Sequence, residues 1–114
     1  MISVGALIVD AVKDIAPCRA RYYTGSEKRY FVYDIVDDRG DDWGDDRPDK
    51  IHYWVRVKFY YPQGENQNSK KKEVRHRLLD AGFSYARISE VSFPEEGIDG
   101  IEWTCDYTEE SEEG

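Results

Sequence analysis

The chain has 114 residues, of which 24 are acidic and 16 basic, so its formal net charge is −8. That length fits one domain with a real hydrophobic core and is too short for two. The negative charge disfavours general binding to nucleic acid phosphates or to an anionic membrane surface. Charged residues interrupt the apolar run near the N-terminus and no later segment approaches membrane-spanning length, so we expect a soluble protein that makes no membrane contact.

The first predicted element is a helix with an apolar stripe at steps of three and four residues. Ser3 is a plausible N-cap and Pro17 is expected to end the helix. The stripe consists of Val4, Leu7, Ile8, Ala11, Val12 and Ile15.

Two strands are predicted next. Arg19–Tyr23 is short, and residues 28–36, KRYFVYDIV, are rich in β-branched and aromatic residues. Gly25 and Ser26 lie between them and are typical of a turn, so the sequence predicts that these two strands form a hairpin.

Cys18 and Cys105 lie far apart in the sequence and could form one disulfide or remain reduced. We expect free, non-essential thiols, because no secretion signal is present. The chain has no CxxC, and His52 and His76 lack the ligand spacing of structural zinc, so no metal and no cofactor is expected.

Residues 37–50, DDRGDDWGDDRPDK, hold seven aspartates in fourteen positions. An EF-hand is excluded because Arg39 occupies a ligand position and Pro48 lies near the end. The favoured interpretation is a solvated, mobile loop, with irregular cation binding as the alternative. The carboxylates in question are Asp41, Asp42, Asp45 and Asp46.

Residues 51–61, IHYWVRVKFYY, alternate with the period of a strand and form the clearest strand in the chain. One predicted face carries Ile51, Tyr53, Val55, Val57, Phe59 and Tyr61. The second face mixes aromatic with charged residues, which indicates that a helix or another subunit covers part of it. Its candidate interface residues are Trp54, Arg56, Lys58 and Tyr60.

A second helix is predicted from Ser69 to a stop at Gly82, with Val74, Leu78 and Ala81 facing inward. Two final strands, at residues 85–93 and 100–108, follow around the turn PEEGIDG. The order α-β-β-β-α-β-β predicts an α+β fold, in which two helices pack on a mainly antiparallel sheet of about five strands. We expect a single domain over residues 1–108 and a flexible acidic tail over 109–114. The predicted core includes Val12, Val32, Val55, Val57, Phe59, Leu78 and Trp103.

Catalysis is not expected, because the cysteines and histidines belong to no recognisable nucleophile motif. The isolated glycines form no phosphate-binding loop. Stacking of single-stranded nucleic acid on Tyr53 or Trp54 is disfavoured, since strand aromatics are more often core and the net charge is negative.

Joined in order, these segments resemble the tail terminator, or tail completion, proteins of long-tailed bacteriophages and prophages. In that family a YxVxV-like strand precedes a polar loop, a helix ending in AGF and a closing pair of strands. The corresponding segments here are VRVKFYY at residues 55–61, LLDAGF at 78–83 and IEWTCDYT at 101–108. The resemblance covers nearly the whole chain, which departs from it in the long acidic segment and the acidic C-terminus.

The resemblance implies a non-enzymatic virion protein that forms a ring, generally hexameric, joining the tail tube to the head-side connector. Its partners would be copies of itself, the tail tube protein and a head-completion protein, in the virion tail and, during assembly, in the host cytoplasm. DNA would pass through such a ring without specific binding. If the acidic segment faces the channel, its carboxylates would repel passing DNA, while an outward, solvated position is equally compatible.

Two other classes of protein stay open. One is another head-tail connector or neck protein of the same particle. The other is a small cytoplasmic acidic binding module, acting as a DNA mimic.

Overall fold

Two helices and five strands build the part of the chain that the computed structural model describes, residues 3–44 and 47–110, with the backbone alone described at 37–44, 47–50 and 110. In chain order the elements are α1 (Val4–Val12), β1 (Cys18–Ala20), β2 (Tyr30–Gly44), β3 (Arg47–Pro62), α2 (Asn68–Asp80), β4 (Arg87–Phe93) and β5 (Ile98–Glu110). The strands form one sheet of order β1-β2-β3-β5-β4, antiparallel except where β1 joins β2. The predicted α+β class, the number of helices and strands and their order are confirmed.

Helix α1 begins where the sequence predicts, because the Ser3 side chain accepts a hydrogen bond from the Ala6 amide. Its end differs from the prediction. The helix stops at Val12 rather than running to Pro17, and the Ile15 amide donates to the Val12 carbonyl at 2.9 Å in a tighter turn. This turn leads the chain into β1.

The predicted hairpin between the first two strands is wrong. β1 ends at Ala20 and runs parallel to β2, with Cys18 opposite Phe31. Arg21 follows at φ 66°, a left-handed conformation that turns the chain out of the strand. Residues 21–29 therefore form a longer excursion that returns the chain in the parallel direction, and the turn at Gly25 and Ser26 lies within it.

The loop predicted over residues 37–50 is also wrong for the described part of that segment. β2 continues to Gly44 and β3 starts at Arg47, with Asp41 opposite Lys50. Aspartate and glycine are poor strand formers, but β3 is paired on its other side as far as Lys50, opposite Glu110, so it offers a long template. Asp45 and Asp46 lie outside the described residues.

The core lies between the two helices and one face of the sheet. Val12, Val55, Val57, Leu78 and Trp103 are fully buried there, and Phe59 is almost fully buried. Val32 is buried as predicted, but it lies opposite Lys58 on the other face of the sheet. Its neighbour Phe31 fills the core instead, with its ring 4.6 Å from that of Phe59.

Helix α2 is fixed to the core by Val74 and Leu78, which are fully buried. Arg77 joins it to α1: the guanidinium donates to the Ala11 carbonyl at 3.1 Å and pairs with Asp14 and with Glu73. The helix ends as predicted at Gly82, whose φ is +104°.

Replacing Gly82 with alanine is expected to lower the free energy of unfolding by roughly 1–3 kcal/mol, since a β-carbon is strained at positive φ. That carbon would also lie 3.1 Å from Cε1 of Tyr107. Gly64 is the matched control, because its φ is +93° but nothing lies within 4 Å of an added β-carbon. Urea unfolding should show the larger loss for Gly82→Ala, and equal losses would contradict a role for the Tyr107 contact.

At the end of the described chain, Glu109 and Glu110 belong to β5. Residues 111–114, the rest of the predicted acidic tail, lie outside the described residues. Neither of the two described helices has the length and apolar composition needed to cross a membrane.

Candidate functional site

The two described helices cover one face of the sheet, and no described helix lies on the opposite one, here called the open face. Strand alternation places the four candidate interface residues on it, because each is next to a core residue of β3. The structure therefore brings Trp54, Arg56, Lys58 and Tyr60 together in one row along the central strand.

Ion pairs occupy the middle of the open face. Lys58 Nζ lies 3.5 Å from Asp34 Oδ2, and Arg56 Nε lies 3.3 Å from Glu102 Oε1. The Arg56 Nε–H is buried but makes no hydrogen bond to any described residue. Partly exposed pairs of this kind contribute less than about 1 kcal/mol to stability.

Aromatic rings form one end of the open face. Tyr23 stacks on Tyr30 at 4.6 Å between ring centroids, and Tyr60 lies 5.5 Å from Tyr30 and 6.1 Å from Phe93. Burial in this cluster raises the pKa of the Tyr60 hydroxyl above its ordinary value, as do the nearby Tyr30, Glu102 and Asp34. Part of this face is thus covered by Tyr23, from the connection between β1 and β2, where the sequence predicted a helix or another subunit.

Sequence reasoning missed Tyr23, because the hairpin interpretation placed it in a strand. The aromatic cluster also requires glycine at position 100, because the Tyr60 ring packs directly against its backbone. A β-carbon there would lie 2.8 Å from Cγ2 of Val91 and 2.9 Å from Cδ1 of Tyr60. Trp54, at the other end of the row, is 45% exposed.

Beyond the helices, β2, β3 and β5 continue as a three-stranded ribbon. β2, β3 and β5 have 15, 16 and 13 residues, whereas helix α1 has nine. The described chain is elongated and measures 53 × 26 × 23 Å. Ile35 and Val36, at the start of the ribbon beside a β-bulge, are 46% and 51% exposed. Ile35 lies opposite Val55 and is therefore on the helix side of the sheet, whereas Trp54 is on the open face.

The two cysteines are free and buried in the core, as predicted. Burial raises the pKa of Cys18 to about 11, with Arg19 opposing, and that of Cys105 to about 12, with Asp106 adding. Above pH 9, the ordinary value, the unfolded chain loses thiol protons that the folded chain keeps. Stability from these thiols is therefore complete below pH 9 and falls as pH rises towards 11.

We expect iodoacetamide at pH 8 to alkylate both thiols slowly in the folded protein and rapidly in urea, because thiolate is scarce and access is blocked. A double Cys→Ala variant should fold with some loss of packing. Mass spectrometry of intact, alkylated protein is the measurement. A mass two protons lower without reductant would indicate a disulfide and contradict the prediction.

The two histidines lie in separate places. His52 Nδ1 is 3.5 Å from Asp106 Oδ2, while exposed His76 is 3.5 Å from Asp80 on the same helix. Within the described residues, no three His, Cys, Asp or Glu side chains are grouped to hold a metal ion. Asp41 and Asp42 are described only in their backbone, so cation binding by the acidic segment stays a prediction.

Comparison with known proteins gives no assignment: no family model matches the chain and no curated protein matches its sequence. Inference about function therefore rests on the open face, the ribbon and the order of elements.

Proposed function

We propose that this protein is a non-enzymatic tail terminator of a long-tailed bacteriophage, forming a ring that caps the tail tube and joins it to the head-side connector. The observation that carries the proposal is the row on the open face, in which Arg56, Lys58 and Tyr60 are half-buried and Trp54 is 45% exposed. Aromatic residues and arginine are enriched at the centres of protein interfaces, and a monomer gains nothing from presenting them to water.

Two further features support the proposal. The order of elements matches the order that the resemblance implies for the family. The three-stranded ribbon extends past the helices with apolar side chains exposed, a shape suited to contacts with several neighbours at once. In this proposal the acidic end of the ribbon lies near the channel, where its charge would keep DNA from adhering.

Negative-stain microscopy and native mass spectrometry of the full chain at high concentration test the proposal. Closed rings, hexamers above all, are the expected result. The same preparation is then mixed with assembled tail tubes, which the rings should cap at one end. A chain that stays monomeric overturns the proposal, and rings that bind a head-side connector but no tube favour another neck protein.

The open face also gives a prediction by substitution. Trp54→Glu should weaken assembly by tenfold or more, because a tryptophan at an interface centre contributes about 2 kcal/mol or above. Folding should be unaffected, since the residue is half exposed. Tyr22→Glu is the control, at an exposed aromatic (71%) outside the row. Sedimentation velocity measures both variants, and equal association would remove Trp54 from the interface.

A further inference from the structure

Both edges of the sheet have unpaired backbone. β1 pairs with Phe31–Tyr33 only, so the outer edge of β2 from Asp34 onward has no strand beside it among the described residues. At the other edge, β4 pairs with β5 alone in that same part of the chain. Proteins normally shorten, charge or cover such edges, because they are templates for another strand.

The hydrogen-bond pattern shows which amides point outward. The Phe31 amide donates to the Pro17 carbonyl at 2.7 Å, and the Tyr33 carbonyl accepts from Arg21 at 2.8 Å, so both residues direct their polar backbone groups away from β3. Because the direction alternates along a strand, Ile35 does the same. Its N–H therefore points to the unpaired edge of β2.

The same alternation carries across the sheet. The backbone N–H and C=O of Tyr33 point away from β3. Those of its partner Val57 therefore point towards β5, where they form hydrogen bonds with Trp103. The backbone groups of Trp103 then point away from β4. Those of Ile88, its partner on β4, therefore point outward, to the free edge. Glu90, two residues on, directs its N–H to the free edge of β4 as well.

The start of β4 and residues 34–40 of β2 are opposite in net charge. Ile35 and Val36 expose apolar surface at the β2 edge, where residues 34–40 contain three aspartates and one arginine. At the β4 edge Phe93 is 43% exposed. Lys71 of helix α2 is paired with Glu90 of β4 itself, at 3.0 Å, and Glu95 and Glu96 follow the strand. The positive charge therefore lies only at the start of β4, at Arg75, which donates to the Ala86 carbonyl, and Arg87.

We propose that the β4 edge of one copy pairs with the β2 edge of the next, at residues 34–40, extending the sheet from subunit to subunit. Three reversals separate β2 from β4 within one copy, so β4 runs antiparallel to β2 there. In a ring whose copies keep the same strand direction the added strand is therefore antiparallel to β2, and the seven residues of β4 fit the uncovered stretch. This contact joins unlike surfaces and can close a ring. The inference rests on the proposed function in so far as it assumes a ring.

Proline at an outward-facing position removes the donor that the neighbour needs and leaves the internal ladder intact. Ile35→Pro blocks the β2 edge and Glu90→Pro blocks the β4 edge, while Ile35→Val and Glu90→Gln keep both amides. Native mass spectrometry should show rings for the controls and monomers for each proline variant. An equimolar mixture of the two proline variants should give one-to-one dimers and nothing larger, because each supplies the edge that the other lacks.

If either proline variant forms rings, or if the mixture stays monomeric, the edge pairing is wrong. Neither result contradicts the proposal that the protein forms a ring. A wild type that never associates overturns both proposals. If a proline variant does not fold, hydrogen exchange of the wild type decides. The Ile35 and Glu90 amides should exchange at least tenfold more slowly in the ring than after dilution to monomers, and equal rates overturn the pairing.

Discussion

Val57→Asp is expected to abolish cooperative folding. Val57 is fully buried on the central strand, between Tyr33 on β2 and Trp103 on β5. The substitution loses about 1.5–3 kcal/mol of apolar burial and adds roughly 2–7 kcal/mol for an unpaired buried polar group. Since a small domain is stable by only ~5–15 kcal/mol, this loss removes most or all of its stability.

Circular dichroism during thermal and urea unfolding is the measurement. The variant should show no cooperative transition, or one at greatly reduced urea concentration. Val36→Asp is the control, since this valine lies in the same sheet but is half exposed, and its cost should be within about 0.5 kcal/mol. Wild-type unfolding of Val57→Asp would contradict the assignment of the β3 inner face.

The second large effect is expected for Trp103→Ala, with a loss of about 3–5 kcal/mol. Trp103 is fully buried, its ring lies 6.3 Å from that of Phe31, and its indole Nε1 donates to the Lys71 carbonyl at 3.0 Å. Alanine leaves a cavity and removes the hydrogen bond that joins β5 to α2.

Trp54→Ala is the matched control, because it removes the same side chain from the open face. Its effect on the unfolding free energy of the monomer should be below about 1 kcal/mol. Chemical denaturation of both variants at a concentration too low for assembly provides the comparison. Similar losses would mean that Trp54 is as important to the fold as Trp103, contrary to its exposure.

The strongly periodic elements were predictable from the sequence. Alternation along β3 identified both its core residues and the row on the open face, because side chains of a strand point to opposite faces at every step. The caps of the helices at Ser3 and Gly82 were equally readable, since each needs a particular backbone or side-chain chemistry.

What failed depends on partners distant in sequence. The turn residues Gly25 and Ser26 fit a hairpin locally, and nothing nearby reveals that β1 pairs in parallel. Aspartate-rich residues 37–44 have low strand propensity and are ordered into β2 by pairing with β3. The face on which Val32 lies follows from register, which local patterns do not fix. The unpaired edges emerge only once the whole sheet is known.

The position of β5 has a consequence for how the protein is made. β5 is the last of the described strands in chain order, yet it lies inside the sheet, between β3 and β4. Until residues 98–110 have been synthesised, the growing chain has a central strand without one neighbour and a β4 with no strand to join. The sheet therefore cannot be completed before these residues are made. A nascent chain that stalls before them exposes unpaired, aggregation-prone strands to other nascent chains. Contacts that span so much sequence also slow folding, so this small protein should fold more slowly than a helical bundle of equal length.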